Sequence, residues 1–171
     1  MKLEHQIRAF EQLLAQYDGT IPLHRFLVTY FKKNKQMGSS DRRWASRYVY
    51  SFFRLGKALK KEEQTRRLAV ADFLCNTTAS LVIEKYLPQL LEQINLPVSA
   101  KITLVTDVYP DFKLTDVFPF SAHLSPEIDQ EAFLNAFFIQ PDLFIRVQEK
   151  HAATVLKTLK NAEVPVETLL R

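Results

Sequence analysis

The sequence predicts a mainly α protein, a helical bundle followed by a short β-α-β segment from an incomplete α+β domain. Three observations lead there. Apolar residues recur at helical spacing over most of residues 1–95, the 171-residue chain holds only three glycines, and two short apolar runs flank a further amphipathic stretch after Gln140-Pro141. With 47% hydrophobic residues, thirteen of them Phe, the chain has enough apolar surface for a sizeable core.

Residues 3–17 read as the first helix, because Leu3, Ile7, Phe10, Leu14 and Tyr17 share one face and Asp18-Gly19 can stop it. Thr20 caps the next, with Pro22 in its first turn and Leu23, Phe26, Leu27, Tyr30 and Phe31 as its buried stripe. Lys32, Lys33 and Lys35 gather at its C-terminal end, where the helix dipole favours cations, and Gly38 can terminate it.

Ser39-Ser40-Asp41-Arg42-Arg43-Trp44 then opens a third helix. At ~100° per residue, Arg43, Arg47, Tyr50, Arg54, Lys57 and Lys61 fall within about 40° of one line. Trp44, Tyr48, Phe52, Leu55 and Leu59 lie opposite and form the face that can be buried, with Trp44 read as a core or subdomain-packing residue. Asp41 reads as a cap or as a partner for a neighbouring Arg such as Arg42.

Helical composition continues through 62–75 and 78–95, with Pro88 dividing the second segment. From Pro97 to Ser125 the pattern loosens, and β-prone runs such as Ile102-Thr103-Leu104-Val105 stand between prolines. Ser125-Pro126-Glu127 predicts a helix start, and that helix is expected to run to Ile139. Past Gln140-Pro141-Asp142, Leu143 to Val147 reads as a strand, 149–161 as a helix and Val164-Pro165-Val166 as a second strand. The expected domains are therefore 1–124 and 125–171. A β-α-β unit of this size needs further strands, so the chain is expected to be a piece of a longer protein.

Charge divides unevenly. Residues 1–70 hold fifteen Lys/Arg against six Asp/Glu, a net +9, and residues 71–171 hold eight against thirteen, a net −5. A basic segment of this kind points to a polyanionic partner or else to a merely solvated helix face. Arg43, Arg47, Arg54, Lys57 and Lys61 are accordingly either an RNA-facing stripe or a solvated one. Tyr50 among them can stack on an unpaired base or shield the helix edge.

Other chemistry is sparse. Cys75 stands alone, which excludes an intrachain disulfide and a cysteine zinc site and suits a buried helical thiol. His5, His24, His123 and His151 are scattered, and Asp107, Asp111 and Asp116 lack the glycine and terminal Glu of a calcium loop. Arg146 fits either a domain-interface ion pair or an RNA contact. No run approaches eighteen apolar residues and the N-terminus has no signal-peptide core, so the expected location is cytoplasmic, without a membrane partner.

The segments Pro22-Leu23-His24-Arg25-Phe26-Leu27, Gly38 to Trp44 and Val49-Tyr50-Ser51-Phe52-Phe53-Arg54-Leu55 resemble the N-terminal region of Sun/Fmu-type bacterial rRNA cytosine-C5 methyltransferases. In that family the region is a helical domain similar to the antitermination protein NusB. Ile139-Gln140-Pro141-Asp142-Leu143-Phe144-Ile145-Arg146-Val147 resembles the junction placed before the catalytic domain. The resemblance implies an rRNA partner, gripped through Lys32, Lys33, Lys35, Arg42, Arg43, Arg47, Tyr50, Arg54, Lys57 and Lys61, and a catalytic domain to which the grip is coupled.

The family's methyl-donor chemistry uses a glycine-rich loop for S-adenosylmethionine and two cysteines, one after Pro and one after Thr. Here Gly19, Gly38 and Gly56 are isolated and Cys75 follows Leu74, so no cofactor or catalytic residue is expected in this chain. A free-standing NusB-like RNA- or protein-binding module, or a domain docking on an acidic protein, are the alternatives.

Overall fold

A computed structural model describes residues 2–141 and 144–167. Contacts divide the chain into a unit of residues 1–140 and a unit of residues 141–171. The first is built from α1 (Leu3–Gln16), α2 (Leu23–Lys33), α3 (Ser39–Arg54), α4 (Gln64–Cys75), α5 (Leu81–Tyr86), α6 (Val98–Val108) and α7 (Gln130–Ala136), with 3-10 turns at Pro88–Gln93, Leu114–Asp116 and Ser121–His123. The second contains α8 (Glu149–Asn161).

Helix α4 is the centre of the first unit. Its residues Thr65 and Leu68 to Cys75 are all buried, as expected of a helix apolar on every side. Helices α3, α5 and α6 pack on it, and α1 packs on α3. The α1–α3 seam is aromatic: the Phe10 ring meets Phe52 edge-on at 5.2 Å, and the buried Tyr48 hydroxyl donates to Gln6 Oε1 at 2.7 Å. Tyr48, Phe52 and Leu55 lie in the core as their helical phase predicts, Leu59 is buried although it lies beyond the end of α3, and Trp44 packs half-buried against them.

The β-α-β expectation is overturned. No strand occurs among the described residues: 144–147 and 164–166 have no regular structure, and only the predicted helix between them forms. Leu143, the first residue of the predicted first strand, lies outside the described residues. Phe144 and Ile145 are 75% and 56% exposed. A short apolar run becomes a strand only when another backbone edge takes its N–H and C=O groups, and none is present among the described residues of this unit.

Other boundaries move for local reasons. The β-branched run Ile102–Val105 is helical within α6, because Lys101 and Val105 are drawn into the core and packing outweighs propensity. The Ser125 hydroxyl bonds the Glu127 carboxylate instead of a helix N–H, so α7 starts later, where Asp129 Oδ1 accepts from the Ala132 N–H at 3.0 Å. Helix α2 ends at Lys33 with Asn34 at its C-cap, and Gly38 instead precedes α3. Leu134 and Phe138 are buried in the first unit, so it extends past the 124/125 boundary expected from sequence.

Candidate nucleic-acid interface

The N-terminus of α3 is fixed by its own side chains. The Gly38 N–H donates to Asp41 Oδ2 at 3.0 Å, the return half of a capping box, which gives Asp41 the capping role and not that of an Arg partner. Arg42 Nε donates to the Met37 carbonyl at 2.9 Å, and its guanidinium stands 5.9 Å from the Phe31 ring centroid. Arg42 is thereby committed to joining the α2–α3 turn to α3.

Arg47 is committed more deeply. Its Nε and one terminal nitrogen donate to Asp72 Oδ1 and Oδ2 at 2.7 and 2.9 Å, and its terminal nitrogens reach Thr78 Oγ1 at 2.9 Å and the Thr78 carbonyl at 2.6 Å. Asp72 on α4 is 0% exposed and also accepts from Asn76 Nδ2 at 2.9 Å and Ser80 Oγ at 2.6 Å. A carboxylate so buried needs a cation and a full set of donors, and Arg47 supplies the cation and two of the four donors. It bolts α3 to α4 and to the α4–α5 corner.

The remaining predicted stripe breaks at the end of α3. Arg54 reaches the Ile139 carbonyl at 3.2 Å, with Gln140 Oε1 at 3.4 Å. Beyond it the chain leaves helical phase through Gly56, whose φ of +57° is left-handed and whose missing Cβ would sit 2.0 Å from the Val117 carbonyl oxygen. The Lys57 N–H instead donates to the Asp116 carbonyl at 2.9 Å. Lys57 and Lys61 therefore do not continue the line of Arg43 and Tyr50.

What faces solvent is different from the predicted stripe. Lys32, Lys33, Lys35, Arg43, Lys57 and Lys61 are exposed, and none makes a side-chain hydrogen bond or ion pair within the described residues. Lys60, not anticipated from the sequence, joins them in exposure. Tyr50 is 39% exposed on α3. Lys32, Lys33 and Lys35 flank the turn into α3, Arg43 lies in its first turns, and the Lys57–Lys61 group follows its far end. At 1.5 Å per residue, Arg43 and Arg54 are about 16 Å apart along the axis. Cations so exposed are free to meet phosphates, contacts that position a backbone without reading base identity.

A buried polar system escaped the sequence reading. Lys101 on α6, 2% exposed, donates from Nζ to the Phe73 and Asn76 carbonyls at 3.0 and 2.7 Å and so satisfies the C-terminal end of α4; burial lowers its pKa. Arg67 donates to the Ala58 and Gly56 carbonyls, and its guanidinium lies 4.8 Å from the Phe52 centroid, with burial lowering its pKa too. The one available signal was Asp72, a single acid in the otherwise apolar run Leu68 to Cys75.

Cys75 is a buried thiol whose pKa burial pushes up to about 11, the opposite of an activated nucleophile. Among the described residues, no three His, Cys, Asp or Glu side chains are placed to hold a metal ion, and no helix is long and apolar enough to cross a membrane. The three glycines stand apart in the sequence, and the space beside Gly56 is filled by the Val117 carbonyl. Arg146 is exposed in the second unit and makes no hydrogen bond among the described residues. No protein-family model matches the chain, and no curated protein or solved structure matches it significantly.

Proposed function

We propose that the helical unit of residues 1–140 is an RNA-binding module, and that it serves as the recognition end of an S-adenosylmethionine-dependent rRNA cytosine-C5 methyltransferase whose catalytic domain lies outside this chain. The observation that carries RNA binding is the set of exposed, unpartnered cations at the two ends of α3. A folded surface that keeps Arg43 and six lysines free of carboxylates is suited to a phosphate backbone. The contacting residues are Lys32, Lys33, Lys35, Arg43, Lys57, Lys60 and Lys61, with Tyr50 beside them. Arg42, Arg47 and Arg54 support the surface from within.

The methyltransferase half of the reading rests on the motif resemblance between Pro22 and Leu55. A free-standing helical RNA-binding module is the second reading, favoured by the strandless residues 144–167.

Anisotropy of a labelled RNA hairpin, titrated with the full chain between 50 and 200 mM salt, tests RNA binding. About four phosphate contacts give a log–log slope near 3, which weakens Kd roughly sixtyfold over that range. No binding at 50 mM, or a Kd flat in salt, overturns the reading.

A further inference from the structure

A groove of about 470 Å³ lies beside the first turns of α3, lined by Ser40, Arg43, Trp44, Arg47, Thr78 and Ala79. It is open to solvent, so it can receive one group of a longer ligand without enclosing it. One side is built from two pairs spaced one helical turn apart, Ser40 with Trp44 and Arg43 with Arg47. The other is the α4–α5 corner at Thr78-Ala79.

That wall is rigid. The Arg47 guanidinium is held by Asp72 and Thr78 and stands 5.1 Å from the Trp44 ring centroid, while Trp44 itself packs on Tyr48 at 5.8 Å. Flat, immobilised groups of this kind are the surfaces on which unpaired bases stack.

The charge of the groove is also defined. Arg47 is neutralised by Asp72, so among the described residues lining the groove Arg43 contributes the uncompensated charge, and the hydroxyls of Ser40 and Thr78 add neutral polar contacts. A ligand that fits has one flat aromatic face, one negative charge and groups that bond hydroxyls. A neighbouring depression of about 350 Å³ on the α1 side of Trp44 is lined by Asp41 as well as Arg8 and so lacks the net positive charge of the groove.

We infer that this groove takes one unpaired nucleotide of a single-stranded or looped RNA, with the base against Trp44 and Arg47 and the phosphate on Arg43. The inference rests on the RNA-binding reading and adds to it a preference for unpaired over duplex RNA.

Trp44 is the sole tryptophan of the chain, so its fluorescence reports on the groove directly. The full chain is titrated with single-stranded hexauridylate, with a blunt twelve-base-pair RNA duplex and with a poly-glutamate peptide, and anisotropy of the labelled probes is followed in parallel. Hexauridylate is expected to quench Trp44 saturably and the duplex to bind without quenching. Arg43→Gln should weaken hexauridylate about tenfold. Ala79→Phe, at an exposed position outside the core, fills the groove and should weaken it about five- to a hundredfold while leaving duplex affinity within twofold. RNA binding by anisotropy with unchanged Trp44 emission, or with Ala79→Phe indistinguishable from the parent, overturns the groove proposal and leaves the RNA reading standing. Binding of neither RNA removes both. Quenching by poly-glutamate alone overturns both in favour of an acidic protein partner.

Discussion

Replacing Arg47 by Met tests how much of the fold its guanidinium holds together. Asp72 is 0% exposed and loses two of the four hydrogen bonds that its carboxylate accepts, together with its only ion-pair partner among the described residues. Breaking a buried pair in this way costs about 3–5 kcal/mol. The Arg47 side chain is 17% exposed, so water reaches one edge of the gap and the lower end, about 3 kcal/mol, applies. Against a total stability of about 5–15 kcal/mol, that lowers Tm by roughly 6–12 °C. Urea unfolding followed by far-ultraviolet circular dichroism measures it.

Adding Asp72→Asn to the Arg47 variant should recover at least about 1 kcal/mol, because a neutral amide does not need the cation. Arg43→Met should stay within about 0.5 kcal/mol of the parent, as exposed positions do. If Arg47→Met also stays within about 0.5 kcal/mol, or if Asp72→Asn only adds its own cost, the assignment of Arg47 to the interior is refuted.

Gly56→Ala forces a left-handed backbone on an L side chain and drives its Cβ against the Val117 carbonyl, at a cost of about 2–5 kcal/mol. The same urea experiment measures it, and a loss below about 1 kcal/mol would argue against the close approach. Lys101→Met removes two charged hydrogen bonds at the end of α4 and should cost about 2–4 kcal/mol, visible as faster amide exchange at Cys75 and Asn76. Burial raises the Cys75 pKa from 9.0 to about 11 and that of Tyr48 from 10.0 to about 12, so both groups bind protons more tightly in the folded state. Their stabilisation is complete below pH 9 and is lost as pH rises through 11 and 12, by about 2–3 kcal/mol each. Cys75→Ala should flatten the fall between pH 9 and 11 in urea midpoints measured against pH; an unchanged fall would contradict the buried-thiol account.

The helices were readable where apolar residues held a 3.6-residue period, as in α1 to α3, and where Pro88 broke one. Helix α6 was not, because Ile102, Thr103 and Val105 favour strands in isolation and only contact with α4 makes them helical. The predicted strands did not form at 144–147 and 164–166 for the converse reason: a short apolar run states only that a segment can be buried, and a partner edge decides whether a strand forms.

The candidate interface was half legible. Composition identifies Lys32, Lys33, Lys35 and Arg43 as basic, and the structure leaves them free. A helical wheel reports angles about one axis only, so it grouped Arg47 and Arg54 with Arg43 although α4 and the Ile139-Gln140 segment claim them. It also extended the helix through Gly56, where close approach to Val117 ends helical phase.

The salt dependence of hairpin binding by charge-neutralised variants tests the central claim, that the free cations around α3 form the RNA interface. Two variants are compared with the parent, one carrying Lys32→Gln, Lys33→Gln, Lys35→Gln and Arg43→Gln, the other Lys57→Gln, Lys60→Gln and Lys61→Gln. Each should lower the log–log slope by about 0.7–0.9 for every phosphate contact removed, with circular dichroism unchanged. Slopes equal to the parent's in both variants would show that the RNA, if bound, sits elsewhere, and would contradict the account.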